Sequence, residues 1–484
     1  MREKILELQK AASALEPETE DQHRYRSQAD DFVRRFYETI PHQKAYRRFD
    51  DSVDKLLDEP IGEEPIPSDE ILHQVESRVV PPGLNPVSGG HMGYIPGGGL
   101  LTSAIGDYLA AATNRYASVY FSSPGAVVLE TRLVRWMCDL VGYGDEAGGY
   151  LASGGSMANM TAVVAARDTA GLEPQQFSSV VVYMTRQAHH CVDRALNIAG
   201  LKSARRRFIG MDERYRMRTG ELIEAIREDR KNGLKPWMVV ANAGSTDTGV
   251  IDPLDEIAET ARREELWFHV DAAYGGFFLL TDEGKSLLKG IGEADSVVLD
   301  PHKGLFLPYG LGALVIKERQ NLAEAHSYSA DYMQDARIDS KIPSPADISP
   351  ELSRHFRGLR MWLPLKIHGV AAFRASLREK LLLAKYVWQE LSQLEGFETG
   401  PEPDLSVIIF RCKPPGVDPD EFNRELHRRL VDDGRIFFST TRINGQFMLR
   451  LAILSVRTHL GEIDLLLKLL REKMTEILEG GRAE

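Results

Sequence analysis

Two apolar runs in this chain end in residues able to do chemistry. The segment Val270-Asp271-Ala272-Ala273-Tyr274 closes one run with a carboxylate, and Asp300-Pro301-His302-Lys303-Gly304 closes the next with a His-Lys pair. A lysine amine can hold an aldehyde cofactor as an imine, provided its site lowers the amine's affinity for a proton. A carboxylate beside a pyridine nitrogen keeps that nitrogen protonated, because an opposite charge favours the cationic form. The pair therefore points to pyridoxal phosphate (PLP) held by Lys303, with Asp271 on the ring nitrogen and the protonated ring acting as an electron sink for a carbanion at the substrate's Cα. Taken singly, each has a plainer reading. Asp271 is then a strand-end aspartate capping a turn, and Lys303 a solvated turn residue.

The segment Ser153-Gly154-Gly155-Ser156-Met157-Ala158-Asn159 precedes an apolar helical stretch. Backbone N–H groups at a helix N-terminus suit a phosphate, glycines permit close approach, and Ser156 adds a hydroxyl. The segment is neither a Walker A loop nor a GxGxxG fingerprint, and by itself a flexible turn looks the same. His302 could bind the phosphate and help to fix the lysine. His189, in Gln187-Ala188-His189-His190, could stack on a cofactor ring, or be a polar loop histidine. Thr246, in Gly244-Ser245-Thr246-Asp247-Thr248-Gly249, could donate to ring substituents, or simply sit in a turn. The adjacent histidines do not read as a metal site, because neighbouring side chains diverge and no HxxxH or nearby carboxylate completes a ligand set.

Alternating elements must position these residues. The runs Val180–Tyr183, Met238–Val240, Leu266–Val270, Ser296–Leu299 and Ala313–Ile316 are short and apolar, with helical stretches between most of them, and Val127 to Val141 reads as an amphipathic helix. Such alternation predicts an α/β domain with a mostly parallel sheet. Such sheets bind ligands at the carboxyl ends of their strands, where Asp271 falls. Residues 1–85 read as a helical arm followed by a proline-punctuated connector, 86–375 as the large domain, and 376–484 as a small C-terminal α+β domain. The polar stretch 318–350 shows no regular pattern, which inside a compact domain marks a functional or disordered segment.

The chain has 484 residues, 43% of them hydrophobic, and a formal net charge of −12. It can bury a large core, and its acidic balance argues against nucleic acid as a partner. Cys138, Cys191 and Cys412 are scattered without CxxC spacing, which fits a reducing compartment. No apolar run approaches the ~20 residues that span a bilayer. The charged Met1–Glu7 segment lacks a signal-like core. These features predict a cytoplasmic protein without membrane partners.

The ordered set Ser-Gly-Gly-Ser, Gln-Ala-His, Gly-Ser-Thr, His-Val-Asp-Ala-Ala-Tyr, Asp-Pro-His-Lys and Phe-Arg-Gly-Leu-Arg-Met-Trp resembles the PLP-dependent group II amino-acid decarboxylases, and among them the aromatic-L-amino-acid decarboxylases. The resemblance covers roughly residues 85–370. It implies PLP fold type I, a homodimer with its site at the subunit interface, and decarboxylation of an L-amino acid. It also implies roles: Lys303 carries the imine, Asp271 pairs with the ring nitrogen, and His189 stacks on the ring and reaches the substrate carboxylate. Gly155, Ser156 and His302 hold the phosphate, while Thr246 and Ala273 line the ring. Tyr332 falls where the family places a tyrosine that returns a proton to the substrate carbon. Phenylalanine there accompanies aldehyde synthesis, so Tyr332 favours simple decarboxylation.

Substrate choice is less sharply written. Tyr94-Ile95-Pro96 resembles the pocket wall of the aromatic enzymes, which makes Tyr94 and Pro96 candidate substrate contacts, and Tyr116 and Ser118 do not copy the acidic-substrate pattern. Ser153–Met160 looks more like the glutamate branch, and Ser353 resembles the phenolic plant enzymes. Decarboxylation of glutamate, aspartate or cysteine sulfinate, aldehyde synthesis, transamination and a non-catalytic PLP-fold protein therefore stay open. Two positions depart from the family pattern: Asp300 stands for the usual Asn and Gly304 for the usual Trp. An extra carboxylate near phosphate repels it unless Asp300 points away, and Gly304 removes packing beside the cofactor.

Overall fold

The computed structural model describes residues 1–49, 53–327 and 342–480. Helices α1 (Arg2–Ala12) and α2 (Thr19–Thr39) open the chain, and neither buries a residue. Strand β1 (Tyr46–Arg47), helix α3 (Ser68–Gln74) and strand β2 (Gly83–Leu84) follow, with β1 and β2 paired antiparallel. Beyond the short strand β3 (His91–Met92) come α4 (Leu101–Thr113) and α5 (Pro124–Val141). Proline opens α5, where its missing N–H is no loss, and Gly142 at φ +95 closes it.

The alternating section runs β4 (Gly148–Ala152), α6 (Gly155–Thr169), β5 (Val180–Met184), α7 (Cys191–Ile198), β6 (Arg205–Phe208), α8 (Thr219–Lys231), β7 (Lys235–Asn242), α9 (Leu254–Arg263), β8 (Trp267–Asp271), α10 (Asp282–Leu287), β9 (Ser296–Leu299), α11 (Pro301–Gly304) and β10 (Gly312–Ile316). Its seven strands form one sheet in the order β4-β10-β9-β8-β7-β5-β6. Pairs from β6 through β9 are parallel, whereas β10 runs antiparallel to both β9 and β4. Every residue of β5, β9 and β10 is buried, as expected for strands covered on both faces.

Two of these strands carry no long apolar run. β4 begins Gly-Gly, and β6 is Arg-Arg-Arg-Phe at the sheet edge, where charged side chains reach solvent and discourage further pairing. The stretch 318–350, which shows no pattern in the sequence, contains helix α12 (Gln320–His326). Only Leu322 is buried in it, and one apolar anchor leaves no visible period.

Helix α13 (Gly358–Gln393) is kinked at Gly369, whose φ of +71 is left-handed. It leads to a second sheet built from β11 (Phe397–Thr399), β12 (Val407–Cys412), β13 (Phe437–Ile443) and β14 (Gln446–Ala452), with α14 (Pro419–Asp433) and α15 (Leu460–Gly480) packed on it. The order is β11-β12-β14-β13-β3, so the early strand β3 completes this late sheet, parallel to β13. The core here is Phe410, Phe438, Leu449 and Leu451 against Leu466 and Leu470. Among the described residues, no helix is long and apolar enough to cross a membrane.

Candidate active site

The carboxyl ends of β5, β7, β8 and β9 converge on the N-terminus of α6 around a cavity of ≈ 320 Å³, within the range of small-molecule sites. Gly155, Ser156, His189, Thr246, Asp271, Ala273, His302 and Lys303 all line it. Residues as far apart in sequence as Gly155 and Lys303 thus share one enclosure.

At one end stands Asp271. Its Oδ1 accepts the backbone N–H of Ala273 at 3.1 Å, and its Oδ2 accepts the side-chain amide of Asn159 at 3.4 Å. Asn159 also donates to the Gly155 carbonyl at 2.9 Å. Both amide hydrogens are then committed, so its Oδ1 must accept the Nε2–H of His269, 2.9 Å away. His269 Nδ1 accepts in turn from the Ser296 hydroxyl at 2.7 Å, and that hydroxyl oxygen receives the Trp267 indole N–H at 2.9 Å. Burial pushes the His269 imidazole down to about 4, with Asp271 acting in the opposite direction. His269 is therefore neutral at ordinary pH, and the chain of donors ends on Asp271 as an acceptor.

Lys303 sits in α11, directly after β9. Burial pulls its proton affinity down, but the charge of Asp300 and a hydrogen bond to it, with Asp271 further off, outweigh this and raise it overall. Lys303 Nζ lies 2.9 Å from Asp300 Oδ2. His302 is fixed by its Nδ1–H, which donates to the Leu311 carbonyl at 2.6 Å. Burial, opposed by Asp300, keeps that imidazole below its ordinary value. Asp300 thus points at Lys303 and not away from the site. At Gly304 an added Cβ would lie 2.7 Å from Cβ of the fully buried Phe277, so no side chain fits there, and Phe277 stacked on Trp136 supplies the apolar packing.

His189 is half-buried. Its Nδ1 accepts the Cys191 backbone N–H at 3.3 Å, and its ring lies 4.1 Å from that of His190. Burial lowers its proton affinity, partly offset by Asp271. The Thr246 loop is held from the second sheet: buried Arg450 donates to the carbonyls of Thr246 and Asp247, and to that of Tyr94 at 2.6 Å. Tyr94 and Pro96 are not among the residues that line the cavity. Pro96 is buried elsewhere, and the Tyr94 side chain is largely solvent-facing, the residue being 60% exposed. Tyr332 lies outside the described residues. Asn159, His269, Ser296 and Asp300 were not assigned roles from the sequence. The signal for His269 was a polar residue inside the apolar run Leu266–Val270.

The residues suit PLP. A carboxylate, a glycine-rich helix N-terminus and a lysine amine line the same cavity. Asp300 Oδ1 is buried without a partner. The cradle is also one that side chains would fill: a Cβ on Gly155 would come within 2.9 Å of Asp300 Oδ2 and 3.3 Å of Ala273 Cβ.

Comparison with known proteins agrees with this architecture. The chain belongs to the pyridoxal-dependent decarboxylase family, whose conserved domain matches residues 51–413. It is a PLP-dependent carboxy-lyase. It is 34% identical to an aromatic-L-amino-acid decarboxylase of Bacillus atrophaeus over 76% of this chain and 77% of that protein. It is 28% identical to tryptophan decarboxylase 2 of Oryza sativa subsp. japonica over 93% of each. The crystal structure of Oryza sativa TDC with PLP and tryptamine superposes with a TM-score of 0.89, covering 95% of this chain and 99% of that one at 24% identity, a likeness of fold.

Proposed function

We propose that the protein decarboxylates an aromatic L-amino acid (tyrosine, dopa, tryptophan or phenylalanine) to the amine and CO2. One observation carries the reading of the site: Asp271, Lys303 and the Gly155 end of α6 line a single cavity. The aromatic side chain is supported by relatives named as aromatic-L-amino-acid and tryptophan decarboxylases.

Bound PLP supplies an electron-accepting ring that takes up the electron pair left on Cα as CO2 departs. Lys303 would hold the cofactor through its side-chain amine. Asp271, held by the Ala273 N–H and the Asn159 amide, would face the ring nitrogen. Gly155 and Ser156 offer N–H groups and a hydroxyl to the phosphate, bordered by His302, while Ala273 and Thr246 flank the ring. His189, whose proton affinity burial lowers, would stack on the ring and orient the substrate carboxylate. Tyr332 returns the proton to Cα. Y332F should then lose amine output and yield aldehyde with peroxide and ammonia.

The exposed Tyr94 and the helices α1 and α2, which bury no residue, suit packing against a second copy of the chain, so we read the protein as a homodimer. The free, buried thiols Cys138, Cys191 and Cys412 suit the cytoplasm. The test of substrate class is PLP-loaded protein given tyrosine, dopa, tryptophan, phenylalanine, glutamate, aspartate and cysteine sulfinate, with CO2 and amine measured. Amine from an aromatic substrate is expected. Amine from the acidic substrates alone overturns the aromatic assignment, and amine from none overturns the activity.

A further inference from the structure

Asp300 is the charged residue of the cavity to which the function above gives no part. It follows β9, and the residue is 1% exposed. Its Oδ2 pairs with Lys303 Nζ at 2.9 Å and lies 3.7 Å from His302 Nε2, while its Oδ1 is buried with no hydrogen-bond partner. The same carboxylate lies against the glycine-rich turn. A Cβ on Gly155 would be 2.9 Å from Oδ2, and one on Gly312 would be 2.7 Å from Oδ1. The titratable groups around it come from three places: His302 and Lys303 on its own turn, His189 and Cys191 beyond β5, and Asp271 at the end of β8. The turn into α6 and the start of β10 bring no ionisable side chain to it.

If the Gly155 end of α6 seats the phosphate, as the functional reading above holds, a phosphate dianion enters beside a buried carboxylate. Two like charges in one low-dielectric site do not both persist, and the usual relief is a proton. We propose that Asp300 is a proton-accepting positioning residue that couples capture of the phosphate-bearing cofactor to uptake of one proton from solvent. The proton forms an O–H bond on the carboxylate, which removes the like charge beside the phosphate. No electron moves and no other bond breaks. Pyridoxal, which has the ring and aldehyde but no phosphate, draws in no such proton.

The test is calorimetric titration of the full chain, freed of cofactor, with PLP and with pyridoxal at pH 8, in buffers of different ionisation enthalpy, for the native protein and D300N. Native protein should take up about one more proton than D300N on binding PLP, and its PLP affinity relative to D300N should fall by up to about tenfold per pH unit as pH rises, as linkage requires of a binding step that consumes a proton. With pyridoxal the two proteins should match. Equal proton counts with PLP overturn the proposal, as does an equal difference with pyridoxal. Uptake that persists in D300N and vanishes in H302N assigns the proton to His302 and also overturns it. Should D300N not fold, the native protein's own counts decide: PLP must exceed pyridoxal by about one proton, and no excess is contrary. PLP bound to Lys303 with equal counts removes this inference alone. Failure of PLP to bind removes the phosphate seat, and the inference falls with it.

Discussion

The side-chain amide of Asn159 donates to Oδ2 of Asp271 across 3.4 Å, joining the first turns of α6 to the end of β8. Asp271 and the glycine-rich start of α6, whose Gly155 carbonyl Asn159 also bonds, are thereby tied by one residue, whose own orientation is fixed by His269. Asp271 cannot receive a proton through this link, because an amide passes none on.

Removing that link should weaken cofactor binding without unfolding the protein. N159A leaves one Asp271 oxygen and the His269 Nε2–H short of partners, a loss of ~1–3 kcal/mol. PLP affinity measured by fluorescence quenching should drop about tenfold or more, since 1.4 kcal/mol is a factor of ten. H269L should drop it less, because Asn159 keeps its bond to Gly155. An unchanged affinity in N159A would show that the amide does not hold the carboxylate.

Stability should decline in mild acid. Burial pushes His91 and His269 each down to about 4. Both are neutral in the folded protein between that value and the ordinary ~6.5, where the unfolded chain takes up protons. Their contribution is complete above the unfolded value and is lost as pH falls from there toward 4, at about 1.4 kcal/mol per pH unit for each group. Urea midpoints measured from pH 8 to pH 4.5 should fall accordingly, and H269Q should flatten part of the slope. A midpoint that rises on acidification contradicts the assignment.

Glu130 and Arg354 form a buried pair at 2.5 Å, with side chains 4% and 0% exposed. Glu130 also accepts the backbone N–H groups of Arg357 and Gly358, and Arg354 donates to the Leu151 carbonyl within β4. E130A leaves the guanidinium buried without its counter-charge and should cost about 3–5 kcal/mol. Chemical denaturation of the cofactor-free protein checks this, and a loss under about 1 kcal/mol would place the pair among weak surface bridges.

The apolar runs at 180–183, 296–299 and 313–316 announced their strands because both faces are buried, and Asp271 and Lys303 were legible because each ends such a run. β6 was not, since an edge strand of three arginines carries no apolar signal. Nor was the Asn159–His269 contact, which joins residues 110 positions apart. The direction of Asp300 was equally hidden, because it depends on the single turn that brings Lys303 back toward it. Tyr94 illustrates the limit most sharply. Its neighbours suggested a pocket wall, yet its backbone is held by Arg450 across 356 residues and its side chain faces outward from this chain.

The central claim is that Lys303 is the lysine that holds PLP opposite Asp271. Borohydride reduction of the PLP-loaded protein, followed by peptide mass spectrometry, tests it most directly. The account predicts a reduced pyridoxyl adduct on Lys303, and none in K303A. An adduct confined to another lysine, or its persistence at equal yield in K303A, would contradict it.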